Sequence, residues 1–183
     1  MDYMLSLIIF FPAFAGLLGF VVHKESAKAY AISVAAIELC LTLWLWIAFD
    51  PTNAGFQFVE YAPLIPEFGV SYYLGVDGIS LFLVILSAFM TLIALIGLSV
   101  KEDVKNLVIS VLFLEMTMVG VFLSLDVILF YVFWEMSLLP MLYIIGAWGS
   151  GERIYAAVKF FLYTFFGSVF MLVGILFMAY LYF

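Results

Sequence analysis

Six uninterrupted apolar stretches, at residues 3–22, 28–49, 79–100, 107–125, 127–148 and 154–183, constrain this chain more than any other feature. Each approaches or exceeds the about 20 residues that a helix needs to cross a hydrocarbon core about 30 Å thick. Lipid offers no hydrogen-bond partners, so a spanning segment must be a helix or part of a closed barrel. Barrel strands are segments of about 10 residues that alternate polar and apolar. These runs are continuous instead, which predicts an all-α membrane protein with six transmembrane helices. Composition agrees: 68% of residues are hydrophobic and only 10% charged, too few polar side chains to cover a water-soluble fold. No internal repeat or soluble linker divides the chain, so residues 1–183 are read as a single membrane domain.

Charge placement sets the expected orientation. The six basic residues, Lys24, Lys28, Lys101, Lys105, Arg153 and Lys159, all fall in or just beyond the first, third or fifth connection. The positive-inside rule puts those connections in the cytoplasm. Asp2, Asp50, Glu60, Glu67, Asp77 and Asp126 occupy the opposite side with no base among them, so both termini are expected on the outer (periplasmic) side. Ala13-Phe14-Ala15 resembles a signal-peptide cleavage site, but the positive N-terminal region of such a peptide is missing, and a retained helix is expected. The long connection 50–78 contains Pro51, Pro63 and Pro66 and alternates partly at Phe56–Tyr61, which suggests a short strand pair on the outer face.

Several functional classes are excluded. The net charge of −7 argues against nucleic acid. The lone Cys40 forms no internal disulfide, and no Cys/His cluster has metal-ligand spacing. There is no phosphate-cradling glycine loop and no nucleophile elbow.

Charges inside spans carry the functional signal. An Asp at a helix centre costs about 2.5–3.5 kcal/mol on the insertion scale, so a membrane-embedded acid calls for a reason. Glu38, Glu115 and Glu135 lie within the second, fourth and fifth spans. Glu115 and Glu135 each lie about ten residues from the turn near Leu125, roughly 15 Å deep at 1.5 Å per residue, and Glu38 reaches a similar depth. Pro140, one turn beyond Glu135, removes a backbone hydrogen bond next to the acid, a pattern expected of an ion path. Lys159 enters from the cytoplasmic side and differs in depth from Glu135 by about 9 Å. It is placed either to approach that acid or to snorkel to the interface. Glu38 suits equally a polar groove or a partner subunit. The four tryptophans, Trp44, Trp46, Trp134 and Trp148, read as packing or interface anchors, and His23 as a boundary residue. A buried carboxyl that gains and loses a partner can take up and release a proton, so Glu135, Lys159 and Glu115 are the candidate proton relay. Tyr163 and Thr164 are candidates to carry a water chain beside them.

The segments Gly120-Val121-Phe122-Leu123-Ser124-Leu125-Asp126, Phe133-Trp134-Glu135 and Leu139-Pro140 resemble the antiporter-like subunits of respiratory complex I, closest to the M-type (chain 4) subunits. Gly75-Val76-Asp77-Gly78-Ile79-Ser80 and the run from Ala156 to Thr164 extend the resemblance over essentially the whole chain. The resemblance implies a proton-translocating membrane-arm subunit of NADH:quinone oxidoreductase, a channel subunit of a translocase without a redox site. It matches Glu135 to the family's fifth-helix glutamate and Lys159 to its sixth-helix lysine, while Glu115 occupies a position acidic in only some members. It implies other membrane-arm subunits as partners, the lipid bilayer and protons, no nucleic acid, and a bacterial inner membrane. NADH, flavin and iron–sulfur sites belong to other subunits, so no cofactor is expected in this chain. Family members have about fourteen transmembrane helices built around inverted repeats. This sequence stops after six and is expected to be a fragment or a split-gene half carrying only the glutamate half of one channel. The rival readings are a subunit of a sodium/proton antiporter and a structural module of a membrane complex that conducts no ions.

Overall fold

The computed structural model describes residues 3–53, 55–100 and 102–182. Asp2 and Lys101, both used above in the charge asymmetry, lie outside the described residues. Six helices form: α1 (Met4–Gly19), α2 (Ala27–Ala48), α3 (Gly78–Gly97), α4 (Val104–Leu123), α5 (Val127–Trp148) and α6 (Arg153–Tyr182). Between α2 and α3 lies an antiparallel hairpin of β1 (Gln57–Ile65) and β2 (Val70–Val76), the strand pair expected from the alternation in that connection.

Five helices, α2 to α6, are long and apolar enough to cross a membrane; α1 is not among them, at 16 residues. The expectation of six spans is therefore met for five. The difference arises at Phe20, Val21 and Val22, whose N–H groups bond back three residues to Leu17, Leu18 and Gly19. These tighter bonds close α1 in a turn, so the last apolar residues of the first stretch add no helical length.

The helices pack around α4, which contacts α1, α2, α3 and α5, while α6 rests chiefly on α5. One apolar core joins Leu5, Ile8 and Ile9 of α1 to Leu81, Val84, Met116, Val119 and Phe133. A second, toward the other end, joins Ala31, Val34 and Ala35 of α2 to Leu95, Val108 and Leu112. Close approach of α4 and α5 depends on Gly120, because a Cβ there would lie 2.4 Å from Cδ1 of Phe133.

The hairpin organises one end of this bundle. Register slips between Gln57 and Glu60, where Phe58 takes a left-handed φ of 52°. Such a bulge re-aims the following side chains, and Glu60 becomes the one buried residue of β1. Its carboxylate accepts from the backbone N–H of Leu5 at 2.6 Å and of Ser6 at 3.2 Å, and from the Ser6 hydroxyl. No side chain local to α1 caps it, so a residue from the hairpin satisfies its free N–H groups. Asp77 caps α3 through Ile79 and Ser80 in a capping box. Asp126 caps α5 through Ile128 and Leu129, and its second oxygen accepts from Ser71 of β2. Leu125 adds a backbone bond to Tyr73 at 2.8 Å.

Bases occupy the far end in the same pattern. Lys105 donates to the Phe20 carbonyl after α1 at 2.7 Å, Lys28 to Ile96 and Leu98 at the end of α3, and Arg153 to Ala147 of α5 at 2.6 Å. Acids at helix N-termini and bases at C-termini both oppose the helix dipole. The charge segregation in the sequence thus becomes a segregation between the two ends of α1, α3 and α5.

Candidate functional site

Glu38 and Glu115 are the two most enclosed charged residues described, 0% and 1% exposed. Neither oxygen of either carboxyl has a hydrogen-bond partner among the described residues. Their helices, α2 and α4, pack together. Glu38 sits midway along α2, and Glu115 eight residues before the end of α4, about 12 Å from its hairpin side.

Glu135 mirrors Glu115, eight residues into α5 from the same side. It is half-buried, and its Oε1 is enclosed without a partner among the described residues. Tyr131 lies one turn earlier on α5, which α6 packs against, and the Ser168 hydroxyl of α6 donates to the Phe165 carbonyl at 2.9 Å. Ser168 is itself buried. Tyr131 and Ser168 were missed by sequence reasoning. The i−4 spacing of Tyr131 from Glu135 was a readable signal; nothing in the sequence distinguished Ser168. α5 runs unbroken through Pro140, so the helix break expected next to the acid is reduced to one lost backbone bond.

Lys159 is placed elsewhere. It is exposed on α6, with its ammonium 5.6 Å from the centre of the Tyr155 ring, and no described ion pair or hydrogen bond joins it to Glu135. A groove of about 440 Å³ runs along this face, lined by Tyr155, Val158, Lys159, Leu162, Tyr163 and Phe166. Of the two residues expected to carry water, Tyr163 is 85% exposed on that groove and Thr164 donates its hydroxyl to the Phe160 carbonyl. The three acids expected at one depth therefore differ in their surroundings: Glu38 and Glu115 are enclosed on α2 and α4, which pack together, while Glu135 is half-buried on α5, which α6 packs against. Carboxyls held in apolar surroundings with hydroxyls one turn away can exchange protons.

Residues 124–182 match the family described as NADH:quinone oxidoreductase/Mrp antiporter, TM. Over 182 residues the chain is 46% identical to NADH-quinone oxidoreductase subunit M of Rhodobacter capsulatus, covering 95% of this chain and 35% of that protein. It is 39% identical to the protein of that name from Rickettsia prowazekii, over 94% of this chain and 37% of the relative. With NADH-ubiquinone oxidoreductase chain 4 of Marchantia polymorpha the identity is 43%, over 94% of this chain and 36% of the relative. Respiratory complex I from Thermus thermophilus with bound NADH contains a chain that superposes with a TM-score of 0.81 at 28% identity, covering 94% of this chain and 35% of that one. The chain thus spans little more than a third of the length of the curated relatives it matches.

Proposed function

We propose, for a chain that belongs to the antiporter-like membrane subunits of NADH:quinone oxidoreductase, that it carries the glutamate part of a proton path in the membrane arm of such a complex. The observation that carries this reading is the placement of Glu135: a half-buried carboxyl inside an apolar helix that α6 packs against, with one oxygen enclosed and without a partner among the described residues. A carboxyl so placed takes up a proton when its surroundings are dry and releases it when water or a cation arrives. Lys159 supplies the cation when a further segment covers the α6 face and turns its ammonium from Tyr155. Glu115 passes protons between the α4 side and Glu135. The chain's part is conduction, while electron transfer from NADH to quinone takes place on partner subunits. Its partners are the other membrane-arm subunits and the bilayer, in a bacterial inner membrane.

The base-capped ends of α1, α3 and α5 face the cytoplasm in this reading, by the positive-inside rule, and the hairpin and both termini face outward. α1 then makes a sixth crossing, its 16 helical residues extended by the turn at Phe20–Val22.

Replacing Glu135 by Gln in the assembled complex tests the proposal. Proton pumping coupled to NADH oxidation is expected to fall while the subunit still assembles; pumping that continues unchanged overturns the relay role. The family description also names an antiporter, so a second reading is a sodium/proton antiporter subunit. Co-purification with NADH-oxidising subunits supports the first reading, and their absence under conditions that retain the membrane partners supports the second.

A further inference from the structure

We propose that the hairpin end of the bundle carries a pocket for a cationic side chain, lysine or arginine, of a partner subunit. A cavity of about 470 Å³ opens there between the hairpin and the start of α1, with Tyr3, Phe58, Tyr61 and Tyr72 in its walls and Glu60 beside them. Glu60 is 5% exposed. Its Oε1 accepts from the backbone N–H of Leu5 and Ser6, and its Oε2 from the N–H and the hydroxyl of Ser6. These bonds fill the carboxylate's acceptor positions with neutral donors. The start of α1 adds only a partial positive charge, so the negative charge stays largely unbalanced.

The hydrogen bonds beside Glu60 have a fixed direction. The Ser6 hydroxyl has one hydrogen, and a carboxylate only accepts, so that hydrogen points at Glu60. The Tyr72 hydroxyl, 2.7 Å from Ser6 Oγ, is therefore the donor in its own bond with Ser6. With both hydrogens turned inward, the buried polar groups offer a ligand only lone pairs and net negative charge. No basic side chain of this chain answers that charge. Residues 29–100 and 106–152 contain no Lys, Arg or His. Lys28 stands twenty residues, about 30 Å, from the hairpin end of α2 and donates to carbonyls at the far end. A metal ion fits poorly, because a hard cation such as calcium takes six to eight oxygen ligands and the acceptor positions of Glu60 are already filled. A lipid headgroup would bring its phosphate to an end that holds Asp50, Glu67, Asp77 and Asp126 and no described base. An ammonium or guanidinium group on a protein side chain brings no anion with it. It donates to Tyr72 and is attracted by the aromatic faces around it.

The pocket requires partner chains at the hairpin end but takes no part in the proton path, so its test is independent of pumping. Tyr61 is 65% exposed on the pocket wall and caps no helix, which makes it the position to change. In the native membrane assembly, Tyr61 is replaced by photoreactive benzoylphenylalanine, and the linked peptides are sequenced by mass spectrometry. The expected product joins position 61 to a partner segment with a lysine or arginine within a few residues of the linkage. Linkage to lipid alone, to a partner segment without a base, to the chain's own first residues or to nothing overturns the proposal. Two further variants separate the cation from simple fit. Tyr61→Leu is expected to weaken retention of that partner during salt washing by about 2- to 30-fold, the effect of one cation–π contact, while Tyr61→Trp is expected to keep it. Unchanged retention with Leu, or equal loss with Leu and Trp, likewise overturns a cation-binding pocket.

Discussion

Leu5 donates its backbone N–H to the carboxylate of Glu60 across 2.6 Å, so the first turn of α1 is capped by a residue 55 positions away. This one carboxylate couples two elements that are weak alone: a helix without a local cap, and a two-stranded hairpin, which by itself is marginal in water. Hydrogen bonds to a buried charged group contribute about 1.5–3 kcal/mol each. Glu60→Ala is expected to destabilise the bundle by about 2–3 kcal/mol and to loosen the hairpin. Hydrogen exchange at Leu5 and Ser6 checks this: their protection is expected to fall before that of α4.

Asp77 gives the hairpin end an acid sensitivity. Hydrogen bonds from the Ser80 backbone, assisted by the Ser80 hydroxyl and the Ile79 N–H, hold its carboxyl below the ordinary carboxylate value despite opposing burial. A depressed folded-state value means the unfolded chain binds the proton more readily. The contribution of Asp77 is therefore complete above the unfolded carboxylate range and is lost as pH falls through the lower folded value. Asp77→Ala is expected to cost about 1 kcal/mol near neutral pH and to flatten the decline in stability below about pH 4. Thermal unfolding in detergent across acidic pH measures both effects.

Gly120 sets the distance between α4 and α5. A methyl group there would meet three atoms of the Phe133 ring at 2.4 to 2.6 Å, and the ring is buried in the core. Overpacking of this kind costs about 1–3 kcal/mol. Gly120→Ala is expected to lower the unfolding temperature, and Gly120→Ala with Phe133→Leu to recover part of the loss. A loss equal in the single and double variants would show that ring contact is not the cause.

Tyr131 stands one turn before Glu135 on α5, the spacing at which side chains on one helix face are neighbours. Tyr131→Phe removes the hydroxyl nearest Glu135 on this helix and leaves the ring in place. Stability is expected to change by about 0.5–1.5 kcal/mol, while proton pumping per NADH oxidised falls and its pH profile shifts. An unchanged pH profile in the assembled complex would reduce Tyr131 to packing.

Much of this was legible from the chain alone. Apolar run lengths located α2 to α6 within a few residues, because in lipid the backbone has no partner but itself. The alternation at Phe56–Tyr61 signalled the hairpin, and the aspartates before α3 and α5 are local caps readable from their positions. Glu38, Glu115 and Glu135 stood out because an acid is conspicuous in an apolar helix. The ending of α1 at Gly19 was hidden, since Phe20, Val21 and Val22 are as apolar as the helix before them. The separation of the acids was hidden as well. Residue counting gives depth along a helix but not rotation about it, so it placed three glutamates at one level without showing which helix faces they occupy.

The sequence by itself determined the membrane environment, the helix boundaries to within a few residues, and the confinement of the bases to alternate connections, all of which follow from local composition. Only the tertiary structure decided which groups meet: Glu60 with the start of α1, Asp126 with Ser71 of the hairpin, Lys105 with the end of α1, and Lys159 with the Tyr155 ring. The reason is physical. Backbone satisfaction in lipid is a one-dimensional constraint within each segment, whereas pairing depends on helix rotation, which is set by close packing between segments distant in the chain.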